Sequence, residues 1–214
     1  TGTSWTDGAL ADGGYDYEVR AVDAAGNVSP PTAAVPIVDG TFGTPTPTGV
    51  IFVTVAAPGT IGAWRIESGD IDRIETYWSS PPGGGNSVDL NGCGPAVIAQ
   101  DVATASGARY RVSFAFTANG DSGDVRAMRV SAAGSSQDYS ITPPPGYSRS
   151  SMGWEYRTFD FAATGTTTTL RFSSLTPSGC MGPVVGDVAV VRLGASTTVA
   201  VDATAPSAPV LTAP

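Results

Sequence analysis

Short stretches in which apolar and polar side chains alternate run along most of this 214-residue chain. The clearest is Y-R-V-S-F-A-F, where Tyr110, Val112, Phe114 and Phe116 fall on one face of an extended segment. A period of two sets every second side chain on the same side, so this stretch predicts a central strand packing onto a second sheet. Comparable runs at 50–55, 71–77, 87–90, 96–103, 109–117, 125–132, 155–162, 168–174 and 184–193 complete a set of candidate strands. Between them stand P-P-G-G-G-N, A-N-G-D-S-G-D, A-A-G-S-S and T-P-P-P-G, which are turn-forming clusters. No window sustains a helical period. Strands of this number and spacing predict an all-β fold, a two-sheet jelly-roll β-sandwich over residues 39–194.

The two ends read differently from the centre. In Y-D-Y-E-V-R-A-V-D, Tyr15, Tyr17, Val19 and Ala21 alternate with Asp16, Glu18 and Arg20, and A-V-P-I-V follows as a second short strand. The string L-A-D-G-G-Y-D-Y-E-V-R-A-V-D-A-A-G-N-V-S resembles the last strands of fibronectin type III-like or bacterial immunoglobulin-like repeats. Residues 1–38 are therefore expected to be the C-terminal part of such a repeat. Residues 195–214, V-A-V-D-A-T-A-P-S-A-P-V-L-T-A-P with its approach, form a Pro-punctuated linker and the start of a following repeat. The chain opens on T-G-T-S-W without an initiator Met and is expected to be a segment of a longer polypeptide.

Composition narrows the chemistry. The net charge of −8 leaves no basic stripe to neutralise phosphates, which argues against nucleic acid and against an anionic membrane surface. The chain has no His, and all 11 basic residues are Arg. His-based triads, Zn–His sites, Schiff-base lysines and the P-loop lysine are thereby removed. No apolar run reaches the length of a membrane span. Cys93 and Cys180 have neither the spacing nor the neighbours of a metal or redox pair. In an exported chain they are expected to form a disulfide, with two buried free thiols as the alternative.

Several landmarks follow one another in order along the central block. D-G-T-F opens it, then come G-A-W-R-I-E-S-G-D-I-D-R-I with Y-W, N-S-V-D-L-N-G (86–92), I-A-Q-D-V-A-T, G-A-R-Y-R-V-S-F, M-G-W-E-Y-R-T-F-D-F-A-A-T and T-T-L-R-F-S-S-L, and G-P-V-V-G-D-V-A-V closes it. This series resembles the choice-of-anchor C family, which is related to the plant cell-wall proteins grouped as domain of unknown function 642 and belongs to the galactose-binding-like jelly rolls. The resemblance implies an exported, cell-wall or cell-surface protein with a carbohydrate-binding role and no established catalytic activity. Related jelly rolls hold a structural calcium with a Glu and an Asp whose positions here are Gly43 and Gly186. With only Asp187 nearby, too few hard oxygen ligands remain, and no calcium or other cofactor is expected.

Candidate functional residues remain few. Glu67, Asp70, Asp72 and Glu75 crowd one segment, but a glycosidase needs two carboxylates facing each other across a sugar, and no opposing partner is evident. They are expected to be solvated charges. Asn119, Asp121 and Asp124 lack the length and terminal Glu of a calcium loop and are expected to form a hairpin with Asx turns. Aromatic rings matched to the apolar faces of sugars offer more. Trp64 precedes alternating apolar residues and is expected in the core. Trp78, beside Tyr77 and before a glycine-rich loop, is expected at the surface. Tyr147 lies on a Pro-rich loop with Arg149 close by. Tyr77, Trp78, Tyr147 and Arg149, with Asp89 as a hydrogen-bonding partner, make the candidate ligand site; Asn86 and Asn91 would add bonds or simply make turns.

The leading expectation is a non-catalytic module that binds a polysaccharide or cell-wall glycan, in an extracellular or cell-surface protein. The alternatives are a structural spacer of an adhesin, stalk or fibre, partnered by neighbouring repeats or subunits, and an accessory region of a secreted glycan-degrading enzyme.

Overall fold

The computed structural model describes residues 33–35 and 37–193. The flanking repeat expected in 1–38 and the linker expected in 195–214 fall almost wholly outside the described residues. Among the described residues there are thirteen strands: β1 (Ala33–Val35), β2 (Phe52–Ala56), β3 (Gly59–Ile61), β4 (Trp64–Ser68), β5 (Asp70–Ile74), β6 (Ser87–Asp89), β7 (Val97–Ala103), β8 (Arg109–Ala118), β9 (Arg126–Ala132), β10 (Ser135–Ile141), β11 (Glu155–Ala162), β12 (Thr167–Ser174) and β13 (Pro183–Arg192).

They form two antiparallel sheets. One has the order β11-β8-β13-β6-β5-β2, with β1 also on β13; the other has the order β10-β9-β12-β7-β4-β3. Both sheets have one face buried against the other, the arrangement of a two-layer sandwich. Ile66, Ile98, Phe172 and Val130 lie opposite one another across β4, β7, β12 and β9. All four are buried, as are Tyr110, Val112, Phe114 and Phe116 on the facing sheet. The alternation in Y-R-V-S-F-A-F is thus used as its period requires. Trp64 is fully buried, contacts Phe42 and Phe172 edge-on or tilted, and donates Nε1–H to the Asp39 carbonyl.

The sequence pattern located most strands but passed over β3, β4 and β10. Strand β10 carries only Tyr139 and Ile141 as large apolar residues. Its turn, A-A-G-S-S, was expected to separate elements; it closes a hairpin instead. Ala132 pairs with Ser135, and Ala133 and Gly134 between them have φ of 50° and 80°. Two consecutive positive φ values match the twist of a two-residue hairpin. At the other end, β1 pairs Val35 with Val190, so residues 33–35 hydrogen-bond to the sandwich, ahead of the boundary drawn at 38/39.

Candidate functional site

The outward face of the seven-stranded sheet carries two cross-strand rows. Thr54, Asp72, Asp89, Val184 and Thr117 lie side by side across β2, β5, β6, β13 and β8. Phe52, Ile74, Ser87, Gly186 and Ala115 form the next row. This face is not left to solvent. Ile74, Trp78, Met152 and Val184 form a second apolar cluster, with Phe52, Tyr77, Tyr147 and Trp154 packed against it. Residues 75–86 and 142–154 supply Trp78 and Met152, so two long loops fold over the sheet and roof its centre.

At the rim of this roof lies a pocket of about 350 Å³. Its apolar lining comes from Phe52, Ile74, Tyr77, Trp78 and Met181, and its polar lining from Thr54, Asp72, Asn119 and Asp121. Phe52 and Tyr77 meet edge to face at 5.6 Å between centroids, and Tyr77 is tilted on Trp78 at 5.5 Å. The Tyr77 hydroxyl donates to Asp121 Oδ2 at 2.8 Å, and that carboxylate raises the phenol above its usual range. Arg149 grips Asp121 through Nε and a terminal nitrogen at 2.7 and 2.9 Å, holding that carboxyl below its ordinary value. The same guanidinium lies 4.0 Å from the centre of the Tyr77 ring, within range of a cation–π contact.

The structure therefore gathers Tyr77, Trp78 and Arg149 in one region but changes the part each plays. Trp78, expected at the surface, is only 7% exposed, and its Nε1–H donates to Ser87 Oγ at 3.0 Å. A partner on β6 lets the indole bury its polar edge, and the ring serves as packing and as part of the pocket's lining. Tyr147 is half-buried rather than offered from a loop. Its hydroxyl bonds to the Ala118 carbonyl and lies 3.2 Å from Thr117 Oγ1, and burial pushes the phenol up to about 12. Arg149 is paired and is not among the residues lining the pocket.

Asp89 is a correction of a different kind. It is wholly buried and cannot touch a ligand. Its Oδ2 accepts from Asn119 Nδ2 at 2.6 Å, and its Oδ1 accepts from the Asn91 and Gly182 amides at 2.8 and 3.0 Å. Burial pushes its carboxyl up to about 7, helped by the Asp72 charge and opposed by these bonds. Asn91, also buried, accepts from Ser174 Oγ and donates to the Thr176 and Gly179 carbonyls. Asn86 donates to the Phe42 carbonyl at 3.1 Å. N-S-V-D-L-N-G is thus a hub that holds neighbouring loops. Position 182 must be Gly: a Cβ there would come within 2.4 Å of Asp89 Oδ1.

Cys93 and Cys180 form a disulfide across 87 positions, and both line the pocket. The covalent link and the Asp89 and Asn91 bonds fix the same segment, 174–182, as the pocket's wall. Sequence reasoning missed Phe52, Thr54, Asp72, Asn119 and Met181 as pocket residues. Only cross-strand register brings them together, and no local motif marks it.

The crowded carboxylates go separate ways. Glu67 pairs with Arg171 within the six-stranded sheet, and Glu75 pairs with Arg73 and accepts from the Thr48 and Gly49 amides. Asp70 Oδ1 accepts from the Cys93 and Gly94 amides. Asp72 receives Thr54 Oγ1, and burial, then the Asp70 charge, raise its carboxyl despite that bond. Asp121 N donates to Asn119 Oδ1 at 2.8 Å, an Asx turn. The two positions at which related jelly rolls carry calcium ligands are Gly43 and Gly186. The Asp39 carboxylate is bonded by the Gly43 and Thr44 amides, and the Pro81 ring fills the space where a Cβ of residue 186 would stand. Among the described residues no group of three His, Cys, Asp or Glu could hold a metal, and no helix is long and apolar enough to cross a membrane.

Two antiparallel sheets, closed over one core and opening a single loop-roofed outer face, define a jelly-roll β-sandwich. Residues 35–191 match the family described as "Protein of unknown function (DUF642)", and the chain belongs to that family. Halomucin from Haloquadratum walsbyi (strain DSM 16790 / HBSQ001) is 34% identical over 141 residues. The match covers 64% of this chain and 1% of halomucin, so the chain spans about 1% of the length of that curated relative. Among solved structures, a family 35 carbohydrate-binding module from Clostridium thermocellum is 18% identical with a TM-score of 0.41, over 65% of this chain and 90% of that one. CBM35 from Cellvibrio japonicus Abf62 is 17% identical with a TM-score of 0.43, over 67% and 94%.

Proposed function

We propose that the domain is a non-catalytic carbohydrate-binding module of a larger exported protein, which takes one sugar unit into the pocket beside Tyr77. The observation that carries this reading is the lining itself. Phe52, Tyr77 and Met181 present apolar surface, while Thr54, Asp72 and Asn119 present polar atoms within the same 350 Å³. Sugars have apolar C–H faces and hydroxyl edges, and sites of this mixed kind suit them. Of the two carboxylates that line the pocket, Asp121 is held by Arg149 and by the Tyr77 hydroxyl, which supports a binding rather than a hydrolytic role, since a glycosidase needs two free carboxylates. The disulfide on the pocket's wall accords with an oxidising, extracellular setting. Binding by this module requires no metal or cofactor.

The test is a glycan array followed by titration, using the whole chain and a Met181→Trp variant. Met181 is 40% exposed, so a larger ring there fills the pocket without disturbing the core. Binding of at least one glycan is expected, weakened about tenfold or more by the filled pocket, a loss of roughly 1.4 kcal/mol. A protein that binds no glycan, or a filled pocket that binds as well as the original, sinks the reading.

A second reading is a structural segment of a very long surface chain, with fibronectin type III-like or immunoglobulin-like repeats on either side. The match to about 1% of halomucin favours it. The two readings are compatible, and the array separates a binding segment from a mere spacer.

A further inference from the structure

We propose that this pocket selects uncharged sugar units and turns away uronates, because the charged side chains that line it are carboxylates and the guanidinium closest to them is already engaged. The inference rests on the reading of the pocket as a sugar site and names the class of sugar it takes.

Two carboxylates line the pocket, Asp72 and Asp121. Asp121 is committed on both oxygens, to the two nitrogens of Arg149 and to the Tyr77 hydroxyl. Arg149 in turn gives its Nε and one terminal nitrogen to Asp121 and lies over the Tyr77 ring, and it is not among the residues that line the pocket. Bidentate guanidinium pairing is the usual way a protein holds such a group, and no Arg lines this pocket.

Asp72 sets the preference. Among the described residues only Thr54 donates to it, through Oγ1 to Oδ1, which leaves Oδ2 as an acceptor in the pocket. Beneath it, Asp89 is its direct cross-strand neighbour. The Asp89 oxygens are already taken by Asn119, Asn91 and Gly182. Asp70, two residues away on the same strand face, adds a third carboxylate. A sugar hydroxyl can donate to Asp72 Oδ2. A uronate at the same place brings a like charge beside an acceptor-only site, where half-exposed dielectric screens the repulsion incompletely.

The experiment compares polymers that differ only in charge. Pectate, glucuronoxylan and hyaluronan are each tested against their carboxyl-reduced forms by affinity electrophoresis and titration at pH 7 and low salt. At least one reduced polymer is expected to bind about tenfold or more tightly than its parent acid. The chain's net charge of −8 also repels polyanions, so Asp72→Asn separates the local effect from the general one. Asn keeps an oxygen for Thr54 and removes the pocket charge, and the ratio between neutral and acidic forms is expected to narrow by threefold or more. Acidic polymers that bind as well as their reduced forms overturn the proposal, and so does a ratio unchanged by Asp72→Asn. Failure of every polymer and of the glycan array alike overturns the sugar-site reading itself, and the selectivity falls with it.

Discussion

The two outward faces of this sandwich obey the same alternation and have become opposite surfaces. On the six-stranded sheet Arg65, Ala99, Arg171 and Ser131 lie across β4, β7, β12 and β9. Arg171 holds Glu67, Arg65 holds Asp101, and Arg129 holds Asp138. These side chains are about a third to a half exposed. The seven-stranded sheet instead carries Phe52, Ile74 and Val184 outward, and two loops fold over them with Trp78 and Met152. One face is finished by pairing charges in water. The other is finished by a second, smaller core, and where that core stops short a pocket opens. Loops folded over an apolar patch leave a pocket at their rim; a ladder of ion pairs makes a boundary.

The comparison breaks most visibly at Trp78. If the roofed face is a true second core, Trp78→Ala removes a large buried ring together with its bond to Ser87. A loss of about 3–5 kcal/mol is expected from urea unfolding. A loss below about 1 kcal/mol would make the roof an ornament on a sandwich that is stable without it.

The disulfide comes next. Replacing Cys93 and Cys180 together by Ala releases a link spanning 87 positions, and removing such a link costs roughly 2–5 kcal/mol. Because both cysteines line the pocket, hydrogen exchange is expected to rise in 174–182 and to stay unchanged around Arg171 and Arg129. Equal loosening of both faces would mean that the link serves the whole sandwich and not the pocket wall.

These parts were not equally legible in the sequence. Period-two alternation marked Tyr110, Val112, Phe114 and Phe116 as inward, and β11 (Glu155–Ala162) falls where its pattern placed it. Alternation reports only that a residue faces out, not what lies above it. Trp78 beside P-P-G-G-G looked exposed because its cover, Met152, and its partner, Ser87, come from other segments. Asp72 looked like a solvated charge because its neighbour Asp89 is set by strand register. S-S-Q-D-Y-S-I gave little sign of a strand, since β10 is an edge that buries only Tyr139 and Ile141. The core position of Trp64, which precedes alternating apolar residues, needed only the local pattern to foresee.

Asp89 sharpens the contrast through pH. Its folded carboxyl is raised from 3.8 to about 7 by burial, so the native state binds a proton that the unfolded state has released between those values. Its contribution to stability is therefore fully present below about pH 4 and is lost as the pH rises through about 7. Asp101, Asp121, Asp138 and Asp160 have lowered values, and their contributions change only in more acidic solution. The window from about pH 4.5 to 7.5 is thus governed mainly by Asp89, with a contribution of the same sign from Asp72, whose carboxyl is also raised, and over it unfolding free energy is expected to fall by about 2–3 kcal/mol. Asp89→Asn should flatten that slope while lowering stability at every pH, since Asn cannot accept from both Asn119 and Gly182. A slope that survives Asp89→Asn would place the titrating group elsewhere.

The smallest effect belongs to the charged face, and its smallness is the point. Arg171 bonds Glu67 at 2.7 and 3.2 Å, with side chains 42% and 32% exposed. Ion pairs this open gain modest Coulomb energy and lose side-chain freedom, so a double-mutant cycle of Arg171→Ala and Glu67→Ala is expected to give a coupling of about 0.2–1 kcal/mol. That coupling should shrink in about 1 M salt, where charges farther apart than roughly 3 Å are screened, whereas the Trp78→Ala loss should not shrink. Glycan binding should be indifferent to both ladder substitutions. A coupling of several kcal/mol, or one that high salt leaves intact, would mean that the ladder behaves as a buried network, and the two faces would then differ in chemistry but not in structural weight.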